Sequence, residues 1–280
     1  MVIDKQEQRM IKYLRREVLP TTFCQGCGCG TILNAYVKAL DDLEIDPREV
    51  VSVTGIGCSS WIPSPNFHGD TLHTTHGRAI AFATGVKVMK PDMKVVVIAG
   101  DGDLIGIGGN HLMHAARRNI GVTVFLVNNF VYGMTGGQSS PTTPMGIPTA
   151  SSPYKNIESP FNIAEVVSAC GANYVARWTT YHVFSLVDSM KHAIQKKGFS
   201  FVEIISQCPM NYGRYVKRRT GVELLQYFKE NSINVEKAKD MSEDELNGKF
   251  VVGELIERNR REFTEQLRVL NKKIIQKNLG

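Results

Sequence analysis

Residues 93–100, MKVVVIAG, form a continuous apolar, β-branched run with no alternation between polar and apolar faces. A strand of that kind has no side to offer water. It belongs in a parallel sheet covered by helices on both faces. Further strands are expected at VVSVTG (50–55), GVTVFLVNN (121–129), YVARW (174–178) and FSFVEIISQC (199–208). Between them the apolar spacing changes to three and four residues, which predicts helices over 30–45, 76–90, 108–118, 162–170 and 183–197. Strand and helix alternating along the chain predict an α/β fold with a doubly wound, mainly parallel sheet. Such sheets bind ligands beyond the carboxyl ends of their strands.

The first 20 residues read as a helical arm ending at Pro20. Residues 130–162 are rich in Gly, Pro, Ser and Thr, and a loop of that length inside a compact domain is more often functional than decorative. After residue 215 the chain turns charged and helical in pattern. It therefore divides into a domain over 1–215 and a helical C-terminal extension over 216–280. No apolar run approaches the roughly 20 residues of a membrane span, and MVIDKQEQRMIKYLRREVLP lacks the apolar core of a signal peptide. A cytoplasmic protein with no membrane association is the expectation. The net charge of +6 comes without a long Lys/Arg block, so an ordinary solvated surface accounts for it and no nucleic-acid partner is expected. A mildly basic surface also suits acidic partners and phosphorylated ligands.

Two strand ends carry chemistry. Asp101, in Gly100-Asp101-Gly102, follows one strand, and Asn129, in Asn128-Asn129, ends the next. If those strands are neighbours, a carboxylate and an amide converge at one edge of the sheet. Hard oxygen ligands of this kind suit Mg²⁺, which commonly reaches its substrate through phosphate. Glycines beside Asp101 let the backbone approach a diphosphate closely, and the following helix offers its N-terminus to the anion. The pair reads as a diphosphate–Mg²⁺ clamp, although Gly-Asp-Gly by itself also suits a tight turn.

The six cysteines are Cys24, Cys27, Cys29, Cys58, Cys170 and Cys208. A reducing compartment disfavours disulfides, which leaves buried thiols, a redox pair or metal ligands. Cys24 and Cys27 form a Cys-x-x-Cys in a glycine-rich loop, Cys58 follows a strand, and Cys208 ends one just before Pro209. Three loops could bring four thiolates together, which suits a tetrahedral zinc or a [4Fe–4S] cluster. Cys170, inside a predicted helix, reads as a small buried residue.

Taken together, CQGCGCGT, GIGCSSW, LHTTHGRA, GDGDLIGIGGNHLMHAARRN, VNNFVYGMTGGQSSPTTP and the CP of Cys208-Pro209 resemble the thiamine-diphosphate-binding β subunit of 2-oxoacid:ferredoxin oxidoreductases, and most closely the 2-oxoglutarate (2-oxoglutarate synthase) branch. The likeness covers residues 20–215. It implies a sheet of the thiamine-diphosphate-binding type, and a [4Fe–4S] cluster on Cys24, Cys27, Cys58 and Cys208, with Cys29 a non-ligating neighbour. It implies Mg²⁺ on Asp101, Asn129 and the carbonyl of Val131. Ile56, Gly57, Ser59, Ser60, Gly100, Gly102 and Asp103 would border the thiamine diphosphate. His76 would lie near the diphosphate, with Gly133, Met134 and Thr135 wrapping it from the other side. Arg78 would meet either a phosphate or a carboxylate of a neighbouring chain; nothing but proximity speaks for His73, His111 and His114. Gly136 stands where broader-specificity relatives carry a lysine.

The implied reaction is oxidative decarboxylation of a 2-oxoacid with coenzyme A to acyl-CoA, carbon dioxide and reduced ferredoxin; with 2-oxoglutarate the product is succinyl-CoA. No catalytic side chain is expected on this chain. The glutamate that activates the cofactor would come from an alpha subunit carrying the pyrimidine-binding domain, and gamma and ferredoxin-like delta subunits would complete the assembly. The alternatives are the same chemistry on pyruvate or branched-chain 2-oxoacids, a cluster-free thiamine decarboxylase or synthase half, and a non-catalytic zinc-stabilised subunit.

Overall fold

The computed structural model describes residues 9–279. In chain order its elements are α1 (Gly28–Asp42), β1 (Val50–Thr54), β2 (Asp70–His73), α2 (Ala79–Met89), β3 (Lys94–Gly100), α3 (Gly109–Arg118), β4 (Val122–Asn128), β5 (Val131–Tyr132), β6 (Gln138–Ser139), α4 (Ile163–Ala169), β7 (Tyr174–Thr179), α5 (Val183–Gln195), β8 (Ser200–Ile205), α6 (Gly221–Asn231), β9 (Ser232–Asn234), β10 (Phe250–Glu257) and α7 (Phe263–Leu279). Two single-turn helices, Val235–Ala238 and Glu243–Leu246, lie between β9 and β10.

Eight strands make one sheet in the order β2-β1-β3-β4-β8-β7-β10-β9. Every pairing is parallel except that of β10 with β7. The unalternating strands are buried on both faces, as their composition demands. In β3, Val96 and Ile98 pack with Phe125, Ile32, Tyr36, Leu40, Leu186 and Met190 beneath α1 and α5. Val95, Val97 and Ala99 point the other way, into a cluster with Ala83, Leu112, Ala116 and Val167 from α2, α3 and α4. Among the described residues no helix is long and apolar enough to cross a membrane.

The structure departs from the sequence reading at its ends. Residues 1–8 of the expected N-terminal arm lie outside the described residues. Arg9 and Met10 are helical, but from Ile11 to Pro20 the arm continues as two short 3-10 turns, Ile11–Tyr13 and Arg16–Val18, and not as an α-helix running to Pro20. Tyr13 pins it: the ring is fully buried and its hydroxyl donates to Ile45 O at 2.9 Å. The extension is helical in α6 and α7, but it also supplies β9 and β10, which finish the sheet. FVVGELIE did not read as a strand because a bulge between Glu254 and Ile256 breaks its two-residue alternation, beside Gly253 at φ +140°. Edge strand β2 escaped notice because DTLH has no buried face.

Candidate functional site

β1, β3, β4 and β8 are consecutive in the sheet and end at the same edge. Parallel neighbours lie about 4.8 Å apart, so the loops that follow them converge. A cavity of about 120 Å³ lies at this edge. Ile56, Gly57, Cys58 and Ser59 line it after β1, His76 after β2, Gly100, Asp101, Gly102 and Asp103 at the end of β3, and Asn129, Val131, Gly133, Met134 and Thr135 after β4. Every residue expected at the cofactor or the Mg²⁺ is among them except Ser60. Its buried hydroxyl instead donates to Gly55 O at 2.8 Å, bracing the loop from behind.

Tyr132 also lines the cavity and was not foreseen. Its ring occupies the space that a Cβ at Gly102 would need, and its hydroxyl the corresponding space at Gly106. The glycine spacing of GDGDLIGIGG is the one trace this packing leaves in the sequence. Between Gly102 and Ile107 the backbone makes a π-helical turn into α3, a device frequent at functional sites.

Asp101 is 1 % exposed. Ser140 Oγ and Thr142 Oγ1 donate to its Oδ2 at 2.6 and 2.7 Å. Burial pushes its carboxyl up to about 6, against the pull of those two hydroxyls. A buried carboxylate raised in this way gains charge compensation from a cation.

The paired asparagines separate by facing opposite ways. Asn128 belongs to the sheet: its amide donates to Glu203 Oε1 at 2.8 Å, and Glu203 Oε2 accepts from Arg177 Nε at 2.7 Å. Asn129 faces the cavity, its Oδ1 accepting from Val131 N at 3.2 Å. Phe130 between them has φ +66°, a left-handed conformation that costs energy for a residue with a side chain. Its ring is buried with Tyr212, Leu224 and Phe228, and Phe250 packs against that cluster. That anchorage holds the turn that brings both Asn129 and Val131 to the cavity.

Asp103 is buried as well. Its Oδ1 accepts from His76 Nδ1, from Gly77 N at 2.7 Å and from Ile56 N at 3.1 Å. His73, Arg78, His111 and His114 are not among the residues that line the cavity; the Arg78 guanidinium donates to His76 O at 3.4 Å.

The thiols gather next door. Cys24, Cys27 and Cys58 line a second cavity of about 240 Å³ with Thr22, Phe23, Trp61 and Met134. Cys58 and Met134 belong to both cavities. A Cβ built on Gly133 would lie 3.7 Å from Cys58 Sγ and 3.8 Å from Cys208 Sγ, so those two sulfurs flank the same point. Gly28 N donates to Gln207 O at 3.0 Å, which seats the Cys24–Cys27 loop on the end of β8. All six cysteines are free thiols. Cys29 is buried behind Cys27: the hydrogen bond between them, with burial, pushes Cys29 well above the ordinary thiol value, and that same bond lowers Cys27 to about 7. Cys170, half-buried at the end of α4, packs against the core. Among the described residues no three His, Cys, Asp or Glu side chains are arranged to hold a single metal ion. A zinc ion bonded to thiolates at about 2.3 Å would draw its sulfurs tightly together. Thiols set around a cavity leave room for a larger inorganic body such as an iron–sulfur cluster.

Residues 48–204 match the thiamine pyrophosphate enzyme, C-terminal TPP binding domain. The chain is 53 % identical over 264 residues to the 2-oxoglutarate synthase subunit KorB of Methanocaldococcus jannaschii, covering 94 % of this chain and 97 % of the relative. It is 51 % identical to the KorB subunit of Methanothermobacter thermautotrophicus, over 95 % of this chain and 92 % of that one. It also superposes on a chain of the 2-oxoglutarate:ferredoxin oxidoreductase from Magnetococcus marinus, a structure with 2-oxoglutarate, coenzyme A and succinyl-CoA bound. The TM-score is 0.85 at 32 % identity, covering 95 % of this chain and 90 % of that one. This chain therefore belongs to the family of 2-oxoglutarate synthase KorB subunits, the β subunits of 2-oxoacid:ferredoxin oxidoreductases built on a thiamine pyrophosphate-binding domain.

Proposed function

We propose that the chain, assembled with an alpha subunit, oxidises 2-oxoglutarate with coenzyme A to succinyl-CoA and carbon dioxide, passing two electrons singly to ferredoxin. The observation that carries this reading is the junction of two cavities at one sheet edge: one lined by Asp101 and Asn129, the other by Cys24 and Cys27, with Cys58 and Met134 common to both. Residues 1–215 carry this machinery and 216–280 support it.

Asp101, Asn129 and the Val131 carbonyl would hold Mg²⁺ and through it the diphosphate. Cys24, Cys27, Cys58 and Cys208 would ligate a [4Fe–4S] cluster, a one-electron acceptor beside the cofactor. When bound, thiamine diphosphate supplies the electron sink for decarboxylation. The chain's own side chains hold and orient. Gly102, packed on the Tyr132 ring, lets the backbone approach the anion, and Met134 presents an apolar side chain to both cavities. Among the described residues no glutamate lines the cofactor cavity, and the group that activates the cofactor is assigned to the alpha subunit. Gamma and ferredoxin-like delta subunits would carry electrons onward. Six free thiols suit a reducing cytoplasm.

Two variants of the assembled enzyme, purified without air, test this. Cys58→Ala is expected to lose iron and visible absorption and to stop reducing ferredoxin while still binding thiamine diphosphate. Asp101→Ala is expected to lose Mg²⁺-dependent cofactor binding while keeping its iron. Full iron content in the first, or parent-like cofactor affinity in the second, would reject the corresponding assignment. Rates with 2-oxoglutarate, pyruvate and a branched-chain 2-oxoacid, compared as kcat/KM, decide the substrate.

A further inference from the structure

We infer that Asp103 is a positioning residue: it acts through His76 and two backbone amides, and so aims the remaining ring nitrogen of His76, Nε2, at the cofactor's diphosphate. This inference rests on the proposed cofactor reading and goes one step deeper into the same site.

The geometry is asymmetric. Three donors converge on one oxygen, Asp103 Oδ1: His76 Nδ1, Gly77 N at 2.7 Å and Ile56 N at 3.1 Å. They come from two loops, one following β1 and the other β2. The second oxygen, Oδ2, is buried and has no hydrogen-bond partner among the described residues. It lies against Gly55, where a Cβ would collide with it. At 2 % exposure the carboxylate is almost wholly covered, although Asp103 forms part of the cavity wall. His76 has more than a third of its side chain exposed and lines the cavity directly.

Imidazole nitrogens are distinct, and the hydrogen bond made by one decides what the other offers. With Nδ1 engaged on Asp103, Nε2 is the nitrogen left to meet a ligand. The Tyr132 ring stands edge-on to the imidazole, 6.1 Å between centroids at 84°, which restrains rotation of its plane. A carboxylate behind a histidine, fixing its orientation for a ligand in front, is the arrangement by which outer-shell groups support metal-binding histidines. A carboxylate that merely tied two loops together would have no need of the His76 contact.

The test is a double-mutant cycle on Mg²⁺–thiamine diphosphate affinity, measured by calorimetry on assembled enzyme stripped of cofactor. Asp103→Asn and His76→Asn are each expected to weaken binding about tenfold or more, and the double variant is expected to be no weaker than the worse single. Losses that add fully would overturn the inference and leave Asp103 a loop tie. If both singles bind like the parent while Asp101→Ala does not, the positioning role fails and the site reading stands. If Asp101→Ala also binds like the parent, both fail. Should Asp103→Asn not fold, His76→Gln against His76→Asn decides. Glutamine reaches the Nε2 position and asparagine stops near Nδ1, so glutamine must bind the cofactor more tightly; equal or reversed order sinks the inference.

Discussion

At the scale of single residues, the site depends on how one buried carboxylate is held. Asp101 stood out in the sequence because a carboxylate between glycines at a strand end is rarely a core residue. Its supports did not: Ser140 and Thr142 lie about forty positions away, in a loop rich in such residues, and only the folded chain selects these two. Hydrogen bonds to a charged group are worth about 1.5–3 kcal/mol. Thr142→Val, which keeps the shape and removes the donor, is therefore expected to weaken Mg²⁺-dependent cofactor binding about tenfold. A titration of the assembled enzyme checks this, and unchanged affinity would mean that Ser140 suffices alone. The same limit applies to Tyr132 and to the partners of Asp103, which show themselves through contacts and not through a motif.

At the scale of elements, the strands with unbroken β-branched runs and the helices with regular apolar spacing were legible, since burial on two faces or on one leaves a periodic trace. β10 was not legible, because its bulge scrambles that trace. The junction between β4 and α7 was equally hidden. Glu262 accepts from Gly121 N and Glu265 N at 2.8 Å each and from Thr264 Oγ1 at 2.6 Å, tying the start of α7 to the start of β4. Burial alone would raise its carboxyl, but these donors outweigh it and hold it below the ordinary glutamate value. A carboxyl lowered in the folded state stabilises the fold above its unfolded pKa, and that contribution fades as pH falls through the folded one. Glu262→Gln is expected to cost about 1–2 kcal/mol at neutral pH, seen as a drop of several degrees in melting temperature. The gap to the parent should close below the glutamate range. A gap that stays constant with pH would show that the carboxylate's charge is not what matters.

At the scale of the whole molecule, the C-terminal extension reaches the proposed cofactor site without lining it. Phe250 of β10 stacks on Phe130, 6.0 Å between centroids at 22°, and Phe228 of α6 packs in the same cluster. Phe130 is the left-handed residue between Asn129 and Val131, so the extension buttresses the turn that carries two of the proposed Mg²⁺ ligands. Phe250→Ala is expected to cost about 1–3 kcal/mol of stability, less than a fully buried phenylalanine. It should also lower Mg²⁺-dependent cofactor affinity, although Phe250 is absent from the cavity wall. A melt and a cofactor titration on one preparation separate the two effects; a destabilised variant with parent-like affinity would reduce the extension to an edge cover. The sequence by itself determined the parallel α/β sheet, the strand ends at which chemistry sits and the residue types gathered there, because periodicity and strand-end motifs are local properties. Only the tertiary structure decided which strands are neighbours, that β10 pairs antiparallel with β7 and carries β9 at the edge, and which distant hydroxyls, rings and amides hold the site residues in place. Those contacts join segments far apart in the chain, and nothing local records them.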